Sequence, residues 1–185
     1  MRKFLALLFV SIITVTSYAQ NRKIKGNGVV QEKNRKVQKY TKLVVEGEVI
    51  VELLNNPFKN TIRTTGDANL HQLVQVSVVN EVLTLKRKPG FEIVSQTEPL
   101  KVTLATKDLT EITMNGDKGM LTNMGAIEIP KLTLTNTGNN KMELRVKVED
   151  LYLNTENDAA ITVEGNSNTV RINSKSSGDI NAKEL

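Results

Sequence analysis

The segments 131-KLTLTN-136, 150-DLYLNT-155 and 169-TVRINS-174 decide the fold prediction for this chain, because they repeat one pattern at a fixed distance. In each segment two apolar residues flank an outward-facing position, as in Leu132-Thr133-Leu134. This alternation is typical of a β-strand with one buried face. Equal spacing between such strands indicates units that stack on one another and share a core.

Further apolar pairs extend the repeat on both sides of these segments. Ile112/Met114 precedes the pair Leu132/Leu134 of the first segment by 20 residues. Two more series follow the same period, and they comprise Met142/Leu144, Ile161/Val163 and Ile180/Ala182, then Ile127/Ile129 and Val146/Val148. Three series with one period describe a coil with three faces. We therefore predict an all-β fold, a right-handed parallel β-helix with a coil period of about 19–20 residues.

The residues before the repeat predict a strand and hairpin region. Val74–Val78 and Val82–Leu85 alternate around Asn80-Glu81, which is typical of a hairpin. Asp67–Leu73 is the one helical candidate. The predicted domain covers residues 43–185, with an entry region at 43–105 and regular coils at 106–185.

Residues 1–19 have the features of a secretory signal peptide. Arg2 and Lys3 precede an apolar run, and Ser17 and Ala19 place small residues at a cleavage site. A membrane anchor is the alternative, but the run is short for a bilayer. We expect cleavage and export to the periplasm or cell surface of a Gram-negative-like bacterium, with no transmembrane segment in the mature chain.

Composition excludes several kinds of chemistry. The chain has no Cys and one His, so thiolate metal sites, iron–sulfur centres and Cys nucleophiles are excluded. No acid recurs at one position of the repeat, and His71 has no evident catalytic partner. We expect no metal, no cofactor and no catalytic residue. Few aromatic residues and the predicted export argue against nucleic acid as a partner.

Charge is concentrated in a basic N-terminal arm, residues 20–42. Glu32 is its one acid, whereas residues 43–185 carry an excess of acids. The arm either contacts an anionic surface or forms a solvated first strand that folds back on the acidic body. The candidate contacts for an anionic surface are Arg22, Lys23, Lys25, Lys33, Arg35, Lys36 and Lys39.

Several short segments resemble a known family. The family consists of exported bacterial proteins described as "putative auto-transporter adhesin, head GIN domain". The resemblance covers most of the mature chain, and the residues that carry it are Gly26-Asn27-Gly28, Leu43-Val44-Val45, Val82-Leu83-Thr84-Leu85-Lys86 and Ser177-Gly178-Asp179. It implies a non-enzymatic, β-helical protein with an adhesin-like or surface-interaction role at the cell envelope.

One outward position of the repeat provides a candidate contact strip, which is otherwise a solvated face. Its members are Thr113, Thr133, Tyr152 and Arg171. Anionic glycans, envelope surfaces and other proteins are the candidate partners. Two alternatives stay open, namely a carbohydrate-active enzyme (a polysaccharide lyase or hydrolase) on the same fold and a structural subunit that forms homo-oligomers through its coil ends.

Overall fold

The computed structural model describes residues 21–55 and 60–185, and the fold is all-β as predicted. The predicted signal peptide lies outside the described residues. The elements are β1 (Arg22–Lys25), β2 (Val30–Lys36), β3 (Lys42–Glu46), β4 (Ile50–Leu54), β5 (Thr61–Asp67), a 3-10 helix (Ala68–Leu73), β6 (Val74–Val79), β7 (Val82–Arg87), β8 (Phe91–Ser95), β9 (Lys101–Ala105), β10 (Glu111–Asn115), β11 (Met120–Met124), β12 (Ile127–Thr137), β13 (Lys141–Asn157), β14 (Ala160–Ser176) and β15 (Ile180–Glu184).

The prediction of a right-handed parallel β-helix is wrong, because the strands form a curled, open half-barrel sheet of mixed order. Eleven strands run in the order β2-β5-β9-β4-β11-β13-β12-β10-β3-β7-β6, with β14 on β13 and β15 on β14, while β1 and β8 form a second, two-stranded sheet. The central pairs are parallel, whereas β2–β5, β5–β9 and β6–β7 are antiparallel. A periodic apolar pattern specifies which residues are neighbours, but it does not specify that a sheet closes into coils.

The 19-residue spacing appears in the structure as the register between β12, β13 and β14. Leu132 faces Leu151, and Leu151 faces Val170. The earlier step is shifted by two residues, since Ile112 faces Leu134 and not Leu132. A shift of two residues keeps every side chain on its own face, so the apolar pattern fits both registers.

The core lies against one face of the sheet and is built from columns of in-register side chains. In one column Leu43, Ile112, Leu134 and Leu153 are fully buried, and the column ends at Ile172, which is 53% exposed. Stacked branched side chains fill such a surface well. The column is therefore apolar throughout, but its last member has no layer above it.

The adjacent column changes from apolar to polar along the sheet. Met114 faces Asn136, Asn136 faces Thr155, and Thr155 faces Ser174. The buried Asn136 amide donates hydrogen bonds to the carbonyl oxygens of Asn140 and Ala160, both at 3.0 Å. Thr155 donates its hydroxyl to Ser174 at 2.9 Å. These hydrogen bonds limit the cost of burial, although the side-chain oxygen of Asn136 has no hydrogen-bond partner among the described residues.

The entry region contains a hairpin and a short helix. β6 and β7 are antiparallel, and Asn80 and Glu81 both have positive φ, as a tight hairpin turn of this kind requires. Asp67 lies at the N-cap of the 3-10 helix without making a side-chain cap hydrogen bond. Within residues 21–55 and 60–185, no helix has the length and apolar character needed to cross a membrane.

Candidate interaction surface

Three of the four residues of the predicted contact strip are neighbours in the sheet. Thr133 on β12 faces Tyr152 on β13, and Tyr152 faces Arg171 on β14. Thr113 lies outside this row, because it faces Thr135. The place predicted for Thr113 is occupied by Glu111, so the two-residue shift of β10 changes the end of the strip.

Tyr152 is the centre of a compact group of charged side chains, which we call the Tyr152 cluster: Lys131, Asp150, Tyr152 and Arg171. The Lys131 ammonium lies 4.7 Å from the ring centroid, and the Arg171 guanidinium carbon lies 5.1 Å from it. Arg171 donates to the Tyr152 hydroxyl at 2.8 Å and to the Asp150 carboxylate at 3.4 Å. The cluster therefore presents two cations, one carboxylate and one phenol together.

The register explains why these side chains meet. Lys131 faces Asp150, two residues before the row that holds Tyr152 and on the same face of the sheet, so the two rows place their charges around the ring. Lys131 and Arg171 are exposed, while Asp150 and Tyr152 are half-buried. Contacts between a cation and an aromatic ring contribute about 0.5–1 kcal/mol at exposed sites. The arrangement is thus held in place but remains open to a ligand.

Sequence reasoning missed Lys131 and Asp150. Both precede the apolar pair of their segment, and Thr169 takes the same position in the next segment. A signal was available, because opposite charges at the same position of consecutive repeats predict a cross-strand pair.

The basic arm is attached to the rest of the protein, but its cations do not form one patch. β1 pairs with β8 in the small sheet, whereas β2 pairs with β5 at an edge of the large sheet. Arg22, Lys23 and Lys25 therefore lie on one sheet. Lys33, Arg35 and Lys36 lie on the other, with Arg35 half-buried, and Lys39 follows β2 and pairs with Glu81 at 3.3 Å.

Asp67 fastens the connection between β1 and β2. Its buried carboxylate accepts hydrogen bonds from the Gly28 N–H at 2.6 Å, the Thr97 N–H at 2.7 Å and the Thr97 hydroxyl at 3.0 Å. Gly26 packs so closely that a Cβ there would lie 2.5 Å from this carboxylate. The arm thus folds back on the body through a polar clamp.

We expect Asp67→Asn to lower the melting temperature at neutral pH. The Thr97 N–H holds the pKa of Asp67 below its ordinary value of 3.8, against the opposing effect of burial. A carboxyl whose pKa is lower when folded stabilises the protein above its unfolded pKa, and this stabilisation is lost as pH falls through the folded pKa. Melting temperatures measured from pH 7 to pH 2 should therefore begin to converge for the two proteins near pH 3.8 and approach each other as the pH falls through the lower pKa of the folded state.

Thr97→Val is the matched control for this clamp. It removes the hydroxyl donor but keeps the N–H that has the largest effect on the Asp67 pKa. We expect a smaller loss that keeps its pH dependence. A constant difference in melting temperature between wild type and Asp67→Asn at every pH would contradict a stabilising role of the ionised Asp67 carboxylate.

Acids in the C-terminal half of the chain take part in turns or ion pairs. Glu143 pairs with Lys141 at 2.6 Å, and Asp117 accepts the Asn139 N–H at 2.9 Å. Asp158 accepts the Ser177 hydroxyl, and Glu164 pairs with Arg145. Glu143, Arg145 and Glu164 line an open groove of about 510 Å³ beside the exposed Met124. Among the described residues no group of three His, Cys, Asp or Glu side chains could hold a metal ion.

The sequence model of the family described as "putative auto-transporter adhesin, head GIN domain" matches residues 39–185. The chain belongs to the head GIN domain family. Membership in the GIN family favours a non-enzymatic, adhesin-like role and a location outside the cytoplasm.

Three solved structures are similar to this chain in fold. A putative adhesin from Bacteroides fragilis has a TM-score of 0.69 and 16% identity, over 85% of this chain and 81% of that one. A putative lipid binding protein from Parabacteroides distasonis has a TM-score of 0.64 and 17% identity, over 87% and 76%. A putative adhesin from Parabacteroides merdae has a TM-score of 0.54 and 14% identity, over 86% and 98%. No curated protein matches this GIN chain.

Proposed function

We propose that this protein is an exported, non-enzymatic adhesin of the cell envelope that binds an acidic glycan through the Tyr152 cluster. The observation that carries the proposal is the ring of Tyr152 between two cations, with a carboxylate beside them. GIN family membership supports the adhesin-like part. The glycan and the envelope location are our proposal.

The chemistry of the cluster matches that of an acidic sugar. A guanidinium forms two parallel hydrogen bonds to a carboxylate or sulfate, and an ammonium supplies a mobile second charge. Asp150 and the Tyr152 hydroxyl are acceptors for sugar hydroxyl groups. Their half-buried position limits the loss of side-chain entropy on binding.

A single cluster on an open surface binds weakly, so avidity is part of the proposal. Exposed ion pairs contribute about 0–1 kcal/mol each and are screened by salt. A polymer that presents the same acidic sugar many times gains affinity from repeated contact. The two groups of basic-arm cations, at β1 and β2, are further contact points for such a polymer.

We expect the wild type to bind polygalacturonate and not the neutral polymer dextran. Tyr152→Ala should weaken binding to polygalacturonate about tenfold, which corresponds to about 1.4 kcal/mol, because it removes the ring that positions both cations. Arg171→Gln should weaken it similarly, and added salt should reduce binding by the wild type. Isothermal titration and surface-immobilised polymer measure these affinities.

Lys147→Gln is the matched control, since Lys147 is an exposed cation on β13 outside the cluster. It should bind like the wild type if position matters more than net charge. Equal weakening by Lys147→Gln and Arg171→Gln would show unspecific charge attraction and contradict the site. Equal binding to dextran, or preference for vesicles of anionic phospholipid, would also overturn the proposal, and new reducing ends or unsaturated products in the polymer would indicate the enzymatic alternative.

A further inference from the structure

One edge of the sheet is left open at β14. β15 pairs with β14 only over its first part, from Ile161 to Glu164. The following part of β14, through Ser176, pairs with β13 on one side and with no strand on the other among the described residues. Its last segment, 169–176, is therefore a row of backbone groups available to another strand.

The side chains at this edge continue the core of the protein. Leu151 and Leu153 are fully buried, but their in-register neighbours Val170 and Ile172 are 37% and 53% exposed. The other sheet edges differ, because β2 carries Lys33, Arg35 and Lys36, and β6 is shorter. Charge and short length are the usual protection of an edge, and the core side of β14 has neither.

We propose that two copies of this protein pair through segment 169–176 of β14, antiparallel about a two-fold axis. This inference goes beyond glycan binding and does not depend on it. The occupant is a second copy because the segment is complementary to itself in one register. With Ile172 opposite Ile172, the two copies of Val170 lie on the diagonals, which joins four apolar side chains.

Charge fixes this register. On the outer face Arg171 then lies opposite Asn173, and Lys175 lies opposite Thr169. In the neighbouring register, with Ile172 of one copy opposite Val170 of the other, Arg171 would lie opposite Arg171. Like-charge repulsion disfavours that register.

Head-to-tail pairing with the β6 edge is less complementary. Val78 faces Leu83 at the opposite end of the apolar column, so this arrangement would place Ile172 on Val78. It would also place the charged Arg171 against Val79 and Ser174 against Val76. The two-fold arrangement avoids the first of these mismatches, because Arg171 lies opposite Asn173, although it also places Ser174 opposite a valine, Val170.

The size of the contact predicts a weak dimer. An eight-residue strand is about 26 Å long at about 3.3 Å per residue, and a sheet is about 10 Å thick. The pair thus buries about 260 Å² on each copy, well below the roughly 800 Å² per partner of stable complexes. We expect monomers at low micromolar concentration and dimers at several hundred micromolar.

A disulfide trap tests the register directly, since the chain contains no cysteine. Residues opposite each other in antiparallel strands have Cα atoms about 4.5–5.5 Å apart, within the range that a disulfide bridges. Ile172→Cys should therefore form a covalent dimer under mild oxidation at high concentration. Val79 lies at the β6 edge and is 65% exposed, and the variant Val79→Cys should stay monomeric.

Sedimentation equilibrium on the Cys-free protein provides the second measurement. Ile172→Asp should abolish the concentration-dependent mass, because it places two carboxylates opposite each other. Met124→Asp changes a similarly exposed apolar residue away from the edge and should keep the dimer. A monomeric wild type at several hundred micromolar would overturn the proposal. The head-to-tail arrangement would replace it if the double variant Val78→Cys/Ile172→Cys formed a series of disulfide-linked oligomers while Ile172→Cys alone formed no covalent dimer.

Discussion

Leu153→Ala is expected to lower the free energy of unfolding by about 2–5 kcal/mol, as truncation of a buried leucine in a close-packed core does. Leu153 is fully buried between Leu134 and Ile172 in the apolar column. Around Leu153 the strand β13 has buried side chains on one face only, so the cavity is bordered by few groups that could move into it. Urea denaturation measures the change.

Ile172→Ala is the matched control within the same column. It removes a similar number of methyl groups from a side chain that is already 53% exposed. We expect a loss of less than about 1 kcal/mol, typical of surface substitutions. Both variants should be measured at low micromolar concentration, where the proposed dimer is dissociated. Equal losses would mean that the β14 edge is covered in the monomer.

Gly165→Ala is expected to be comparably damaging, with a loss of about 3–4 kcal/mol from backbone strain plus a steric clash. Gly165 has φ of +124°, a conformation that residues with a Cβ rarely adopt. A Cβ at this position would lie 2.0 Å from the carbonyl oxygen of Val146, its neighbour on β13. β13 and β14 would have to separate at Gly165, just after the part of β14 that pairs with β15.

Gly90→Ala separates the two causes. Gly90 has φ of +78°, but a Cβ there meets nothing within 4 Å. We expect about 1–2 kcal/mol from the left-handed backbone alone. If Gly90→Ala and Gly165→Ala cost the same, the close approach of Val146 has no energetic role.

The sequence predicted the neighbours in the sheet better than it predicted the shape of the sheet. Leu132, Leu151 and Val170 recur at a fixed spacing and do lie side by side. The β-helix prediction was wrong because curvature and edge pairing depend on contacts between distant segments, such as Ile50 with Met120, which no repeat encodes. The slip at Ile112 had another cause, since two registers that differ by two residues bury the same face.

The candidate site was predictable to the same extent. Tyr152 and Arg171 lie in the part of the repeat with a regular register, so their adjacency could be read from spacing. Thr113 lies beyond the slip and was placed in the wrong row. Asp67 was predicted to begin a short helix, but its carboxylate accepts hydrogen bonds from Gly28 and Thr97, which lie far away in the chain. The predicted boundaries at 19/20 and 42/43 remain predictions.

The pairing registers also divide the protein into strands that can pair quickly and strands whose pairing requires the closure of a long loop. Partners in β12, β13 and β14 are 19 residues apart, as Thr135 and Asn154 illustrate. β3 reaches β10 only across 69 residues, the separation of Thr41 and Thr110. The entropy of loop closure grows with loop length, and distant contacts slow folding. β13, which carries Tyr152, can therefore pair early with β12 and β14. The N-terminal strands then join a sheet whose opposite side has already formed.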